Sequence, residues 1–216
     1  IKLMKVAIDF GISNTDIAVS NNVNVDFFTI PSTKINHLIL DEIFEQINID
    51  IDLIDKIAVT GGKSDSLESI YKTIEVIKIN ETDAIGNGVI EIYRTHEPFV
   101  AISAGTGTAC IYHQDGEFNY IGGIAIGGGT IKGLSNLALN SSSIDELTKK
   151  ALLGNRDNID LLIGDVVNDI GVLNPSVTAS NFAKLKKGDD VSENDVAAAI
   201  FNMIGEVIGT IAYLNA

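Results

Sequence analysis

Two glycine-rich turns within residues 102–134 constrain the fold of this chain more than any other feature. The first, Gly105-Thr106-Gly107-Thr108, follows an apolar run, and the second, Gly127-Gly128-Gly129-Thr130, precedes a run of helical character. Glycine lets backbone N–H groups approach an anion closely, and the start of a helix adds a favourable dipole. The stretch therefore predicts a phosphate site, and the expected ligand is a nucleotide.

The start of the chain repeats the first of these patterns. Residues 6–11 (VAIDFG) lead into a polar turn and the apolar run 17–19, and residues 100–105 (VAISAG) lead into a second turn and the apolar run 109–112. Both segments are typical of a strand, a tight turn and a second strand. One such hairpin in each half predicts two similar domains that face a shared cleft. Sugar kinases and actin-like ATPases hold ATP phosphates in this way.

Hydrophobic periodicity predicts an α/β chain. An acidic residue stands three positions after Ser143, and this spacing predicts that Ser143 is a helix N-cap. The region after the second glycine-rich turn is expected to be mostly helical. Domains are expected at residues 1–95 and 96–216. Strands are predicted at residues 3–9, 15–20, 25–30, 56–60 and 75–79, with three more between 98 and 120, and helices at 37–47, 82–93 and 191–214.

The balance of charged residues bears on the partners of the chain. A net charge of −14 argues against a nucleic-acid partner, which would need a basic surface. No membrane partner is expected, because the N-terminus resembles a strand rather than a signal peptide and no apolar run is judged long enough to span a bilayer. Cys110 is the single cysteine, which fits a reducing cytoplasm and, within a predicted strand, a buried position. The histidines lack metal-ligand spacing and are expected to face solvent: His37, His96 and His113.

Seven segments together resemble the type II pantothenate kinases, a branch of the sugar kinase and actin superfamily, and the resemblance runs from residue 4 to about residue 214. The segments are Asp9-Phe10-Gly11, Thr60-Gly61-Gly62, Asn80-Glu81-Thr82-Asp83-Ala84, residues 103–108, residues 122–134, residues 154–160 and residues 178–182. The resemblance implies two actin-like (ribonuclease H-like) domains with a nucleotide cleft between them, the second shortened at its C-terminus.

The same resemblance implies an activity. Such kinases transfer the γ-phosphate of ATP to the primary hydroxyl of pantothenate, the first step of coenzyme A synthesis. The family implies Mg²⁺, a cytoplasmic location and a homodimer built partly from the long last helix.

The resemblance also implies roles for individual residues. Glu81 matches the catalytic base that accepts the proton of the attacking hydroxyl, although by residue type alone it could be a helix N-terminal acid. Asp9 is expected to hold Mg²⁺, directly or through water, although it could be an Asx-turn acceptor. The expected nucleotide ligands are Asp9, Gly11, Ser13, Asn14, Gly105, Thr106, Gly107, Gly127, Gly128, Gly129 and Thr130. The expected substrate ligands are Ser103, Thr106, Thr108 and Tyr120.

Three positions depart from the family pattern. Ile12 stands where relatives have a second glycine, Asp16 where they have a lysine, and Tyr120 where they have an arginine that can pair with the pantothenate carboxylate. Lys132 and Arg156 are the other cations considered for that carboxylate. Two further functions therefore stay open: a kinase for another small hydroxylated substrate, and a non-catalytic binder of nucleotide or coenzyme A.

Overall fold

The computed structural model describes residues 4–62, 64–167, 171 and 174–216, so residue 3, expected to open the first strand, lies outside the described residues. The chain falls into two units, which we call unit 1 (Ile1–Ala101 and Ile111–Asn119) and unit 2 (Ile102–Cys110 and Tyr120–Ala216). Strands and helices alternate through most of the chain, which confirms the α/β class predicted from periodicity.

A six-stranded mixed sheet organises unit 1. Its elements are β1 (Met4–Phe10), β2 (Asn14–Ser20), β3 (Val25–Pro31), α1 (Ile39–Gln46), β4 (Ile54–Thr60), β5 (Ile70–Tyr71), β6 (Ile74–Lys78) and α2 (Glu81–Tyr93). The strand order is β3-β2-β1-β4-β6-β5. Strands β1, β4 and β6 run parallel, while β2 pairs antiparallel with both β1 and β3, so the predicted first hairpin is confirmed.

One face of this sheet carries the hydrophobic core of unit 1. Val6, Ile8 and Phe10 alternate along β1 and are buried, as strand geometry requires when one face is covered. Helix α1 covers that face with Ile43 and Phe44, each 1% exposed. The apolar stripe read from the sequence therefore identified both the helix and the side that it buries.

The opposite face of the sheet shows two rows of side chains that cross the strands. Backbone register places Asp9 beside Asp16 and Thr60, in a polar row that ends at Thr29. The adjacent row is apolar and mostly small. It consists of Phe27, Ala18, Ala7, Ala58 and Ile77. The polar row lies at the carboxyl ends of β1 and β4, where ligands commonly bind in α/β proteins.

A three-stranded sheet and a group of helices follow. The elements are β7 (Phe99–Ala104), β8 (Thr108–Gln114), β9 (Glu117–Ile124), α3 (Gly128–Leu139), α4 (Ile144–Leu153), β10 (Leu161–Leu162), α5 (Ile163–Val166), β11 (Thr178–Ser180) and α6 (Glu193–Asn215). The sheet order is β7-β8-β9. Ser143 caps α4 by accepting a hydrogen bond from the Glu146 N–H at 3.5 Å, as predicted.

Helix α6 provides much of the core of unit 2. Its Val196, Ala199 and Ile200 pack with Ile159 and with partly buried residues of α3. The helix is also long and apolar enough to cross a membrane by length and composition. The expectation that no segment reaches that length is therefore wrong for α6, although core helices of globular proteins share these properties. Sequence patterns also missed the short antiparallel pair β10–β11.

Two expectations about single side chains have opposite outcomes. Cys110 is fully buried, as predicted for a strand residue. His113 is also buried, with 2% of its surface exposed, so the expectation of a solvent-facing histidine is wrong. The ring stacks on Phe99 at 4.7 Å between centroids and contacts Phe118 at 5.0 Å, which explains why the strand turns this side chain inward.

Candidate active site

The first hairpin turn, residues 11–14, is fixed by a residue that follows β3. The Ser32 hydroxyl donates to the Gly11 carbonyl at 2.7 Å, and the Ser32 N–H donates to the Ser13 carbonyl at 3.1 Å. A Cβ at Gly11 would lie 2.6 Å from the Asn14 carbonyl oxygen, so the turn closes this tightly only with glycine there. The turn is therefore preorganised, which suits a site that positions phosphates.

Asp9 lies within β1, between the buried Ile8 and Phe10, and next to Gly61, which follows β4. A Cβ at Gly61 would come within 2.5 Å of the Asp9 Oδ1 atom and 2.7 Å of the Phe10 carbonyl oxygen. Gly61 also has a φ of +86°, a conformation that side chains disfavour. Glycine at this position therefore keeps the space beside the Asp9 carboxylate open.

Three carboxylates of unit 1 influence one another at this end of the sheet. Partial burial raises the pKa of Asp9, and the negative charges of Glu81 and then Asp16 raise that pKa further. Asp16 is held by the Thr29 hydroxyl, which donates to its Oδ1 atom at 2.6 Å. The structure thus brings the expected base and the expected metal residue within electrostatic reach of each other.

Glu81 is the first residue of α2. The side chain of Asn80 caps the helix by accepting a hydrogen bond from the Thr82 N–H at 2.8 Å, which fixes where the helix starts. Glu81 is exposed and belongs to the first turn. A carboxylate at this position is accessible to a substrate hydroxyl.

The donor set at Asp9 fits a magnesium ion that arrives with a nucleotide. Among the residues that the structure describes, no three His, Cys, Asp or Glu side chains form a metal-binding group. Mg²⁺ is typically bound by one or two carboxylates together with substrate phosphates and water, so Asp9 and Asp16 suffice. Thr60 is paired with Asp9 between β1 and β4, and its buried hydroxyl has no hydrogen-bond partner among the described residues. This hydroxyl is a further oxygen next to the Asp9 carboxylate.

A groove of about 420 Å³ lies over the open face of the unit 1 sheet. Its floor is formed by alanines from three strands, and one wall is formed by Phe27. Asp9, Asp16 and Thr60 lie along its polar end, and Ala84 of α2 also lines it. The groove is apolar at one end and acidic at the other.

In unit 2 the two glycine-rich turns pack against each other. The N–H groups of Gly128 and Gly129 donate to the carbonyls of Gly105 at 2.8 Å and Thr106 at 3.0 Å. A Cβ at Gly127 would lie 2.7 Å from the Gly107 carbonyl oxygen. These N–H groups, which the sequence suggested for phosphate binding, therefore hold the two turns together. We call this arrangement the paired glycine turns.

Gly127 is the N-cap of α3, and Thr130 completes the cap. The Gly127 N–H donates to the Thr130 hydroxyl oxygen at 3.2 Å. The start of α3 is thus anchored on the turn that contains Thr106 and Gly107. Both expected phosphate segments of the second half form one structural element.

The expected substrate residues occupy different environments in unit 2. Thr108 is buried, and its hydroxyl donates to the Ile126 carbonyl at 2.7 Å, which ties β8 to the segment before α3. Ser103 is half-buried in β7. Tyr120 is exposed on β9, with its hydroxyl 2.6 Å from the place where a Cβ on Gly123 would lie. Their roles in binding remain predictions.

Arg156 is committed to an internal network of unit 2. Its guanidinium donates to the Thr178 hydroxyl and the Ser176 carbonyl at 2.6 Å each, and lies 3.7 Å from the buried Asp160 carboxylate. These contacts engage the guanidinium within unit 2, so we assign Arg156 a structural role. Lys132 is half-buried on α3.

Several residues that shape the site were given no role in it by the sequence analysis. Asp16 could have been paired with Asp9 by counting back across the predicted hairpin, because residues equidistant from the turn face each other. No comparable signal marks Ser32 or the hydroxyl of Thr60, whose positions depend on packing between segments distant in sequence. The role of Gly61 beside Asp9 likewise depends on the parallel pairing of β1 with β4.

Comparison with solved structures defines the class of fold. The chain is similar to the activator of the 2-hydroxyisocaproyl-CoA dehydratase from Clostridium difficile, with a TM-score of 0.64, 14% identity and coverage of 99% of this chain and 76% of the other. It is also similar to a candidate 2-dehydro-3-deoxygalactonokinase of Sinorhizobium meliloti, with a TM-score of 0.55, 12% identity and coverage of 96% and 81%. These likenesses show that the chain has the α/β fold that these two proteins share.

Sequence comparison identifies the family within that class. The family model Fumble matches residues 89–216. A type II pantothenate kinase of Bacillus anthracis is 32% identical over 213 residues, which cover 94% of this chain and 74% of the relative. The chain belongs to the type II pantothenate kinase family, and the resemblance seen in its motifs is confirmed.

Proposed function

We propose that this chain transfers the γ-phosphate of ATP to the primary hydroxyl of pantothenate, giving 4′-phosphopantothenate and ADP. The observation that carries the proposal is the electrostatic coupling of Glu81 and Asp9 at one end of the unit 1 sheet, in a member of a pantothenate kinase family. This reaction would be the first step of coenzyme A biosynthesis.

Glu81 acts as the general base. Its exposed carboxylate accepts the proton of the substrate hydroxyl while the hydroxyl oxygen forms a bond to the γ-phosphorus and the bond to the ADP oxygen breaks. Asp9 on β1 lies within electrostatic reach of Glu81, so the proposed base and the proposed metal ligand belong to one site. The helix start fixed by Asn80 holds the base in place.

Phosphate contacts are assigned in each unit by itself. In unit 1 we assign them to Gly11, Ser13 and Asn14, whose turn is preorganised by Ser32. In unit 2 we assign them to Gly105, Thr106, Gly107, Gly127 and Thr130 of the paired glycine turns, because the Gly128 and Gly129 N–H groups already donate to carbonyls of the facing turn. The C. difficile activator, which shares the fold, was solved with the ATP analogue ADPNP bound. Mg²⁺, when bound at Asp9, would offset the charge of the phosphates.

Two observations bear on the identity of the substrate. Arg156 is engaged by Thr178, Ser176 and Asp160, so it does not supply a cation for the pantothenate carboxylate, and Tyr120 stands where relatives carry an arginine. These observations favour a second candidate, a kinase for another small alcohol without a carboxylate. Ser103, Thr106 and Thr108 remain the proposed substrate contacts in either case.

The proposed enzyme is a cytoplasmic homodimer. Exposed apolar residues near the end of α6, Tyr213 at 82% and Leu214 at 71%, are consistent with a partner along this helix. The single, buried Cys110 suits a reducing compartment.

Purified chain assayed for ADP release with and without pantothenate tests the activity. We expect pantothenate-dependent turnover and a product of the mass of phosphopantothenate. Glu81→Gln should lower kcat about 10²–10⁴-fold while nucleotide binding is kept. Asp83→Asn, an exposed acid of the same helix turn, is the matched control and should leave kcat unchanged.

The outcomes separate the candidate functions. Turnover with a different alcohol from a substrate panel, and none with pantothenate, would favour the second candidate. Nucleotide binding without turnover of any alcohol would refute the kinase proposal in favour of a binding protein. Equal kcat values for Glu81→Gln and Asp83→Asn would refute Glu81 as the base.

A further inference from the structure

Helix α2 has one buried contact point. All of α2 is described, and Gly86 is its single buried residue. A Cβ added at Gly86 would overlap the ring of Phe118 on β9, within unit 1. Gly88, two residues further along, has open space at the same position. Helix α2 therefore rests on the Phe118 ring at a place where only glycine allows so close an approach.

The Phe118 ring is itself held by other rings. His113 on β8 lies 5.0 Å from Phe118 and 4.7 Å from Phe99 on β7, measured between ring centroids. The buried His113 ring is fixed further by a contact of 3.3 Å between its Nδ1 atom and the Glu97 carbonyl oxygen. We call Phe99, His113 and Phe118 the ring stack. It presents a rigid surface to Gly86.

We propose that Gly86 and Phe118 are positioning residues that seat α2 so that Glu81 faces Asp9. The inference rests on the proposed function of Glu81. Glu81 precedes Gly86 by five residues, about 7.5 Å along a helix. A shift of the helix at its contact with Phe118 is therefore transmitted almost directly to the carboxylate. Misplacement of a reacting group by about 1 Å can lower a rate about 100-fold.

Gly86→Ala and Gly88→Ala form a matched pair for the test. Both replace glycine by a better helix former on the same helix, but only the first meets the ring. We expect Gly86→Ala to lower kcat about 10–100-fold with the KM for ATP little changed, when assayed at a temperature where circular dichroism shows the variant to be folded. Gly88→Ala should keep the kcat of the unchanged chain.

A second substitution distinguishes seating from a general effect on folding. Phe118→Leu removes the ring atoms that the alanine side chain would meet, so Gly86→Ala combined with Phe118→Leu should recover most of the lost kcat. A double variant that stays as slow as Gly86→Ala would overturn the proposal. So would Gly86→Ala with the same kcat as Gly88→Ala.

Hydrogen exchange of the free chain separates this proposal from the proposed function. Without any substrate, amides of α2 should exchange faster in Gly86→Ala and about fivefold slower in Gly88→Ala, as expected from helix propensity. Equal protection of α2 in the two variants would overturn the seating, whatever the activity. Absence of pantothenate turnover in the unchanged chain, together with the expected exchange pattern, would count against the proposed function alone.

Discussion

Close packing of the paired glycine turns predicts opposite effects for two alanine substitutions in α3. A Cβ at Gly129 would lie 2.7 Å from Thr106 Cγ2 and 2.9 Å from the Thr106 carbonyl oxygen, whereas a Cβ at Gly133 has open space. Alanine in a helix is favoured over glycine by about 1 kcal/mol. Overpacking against atoms that cannot move away costs about 1–3 kcal/mol. Gly133→Ala should therefore be stabilising, and Gly129→Ala neutral to destabilising.

The expected difference between the two variants is about 2 kcal/mol in the free energy of unfolding, which corresponds to roughly 4–8 °C in Tm for a chain of this size. Thermal unfolding followed by circular dichroism at fixed protein concentration measures it. Nucleotide binding should weaken only in Gly129→Ala, because separation of the turns moves Thr106. Equal Tm shifts of the same sign in both variants would refute the close packing.

Three further predictions concern single positions. Asp9→Asn should stabilise the chain at neutral pH. Because the pKa of Asp9 is raised in the folded state, the folded state binds more protons than the unfolded state, and stability falls as the pH rises from 3.8 through that pKa. Urea titrations should therefore show a gain in stability at pH 7 and none at pH 3. Ser135→Ala should raise Tm by about 2–4 °C, because the Ser135 hydroxyl is buried without a partner among the described residues, and an unchanged or lower Tm would contradict this. Gly61→Ala should cost about 1–3 kcal/mol in a urea titration, while Gly62→Ala, with open space at its Cβ, should cost far less.

Local patterns in the sequence were sufficient for elements that one stretch of chain determines. The apolar stripe of α1, the Ser143 cap of α4 and the strand–turn–strand repeats each depend on residues close in sequence. The family motifs then placed Glu81 and Asp9 in one site. Their electrostatic coupling agrees with that placement, although the individual catalytic roles remain predictions.

Features formed between distant segments could not be read in this way. His113 is polar by residue type, and its burial depends on Phe99 and Phe118 from the two neighbouring strands. The strands β10 and β11 have only two and three residues and lack a period to detect. A sequence does not show which carbonyls will accept hydrogen bonds from the glycine N–H groups, so the pairing of the two turns could not be predicted.

The paired glycine turns have a consequence for how relatives of this chain can diverge. The hydrogen bonds from Gly128 and Gly129 to Gly105 and Thr106 join main-chain atoms on both sides. A change in one turn therefore cannot be compensated by exchanging a side chain in the other. Methods that infer spatial proximity from correlated substitutions would therefore find little signal for this contact. Each turn would be constrained by itself, and substitutions in the two turns would not covary.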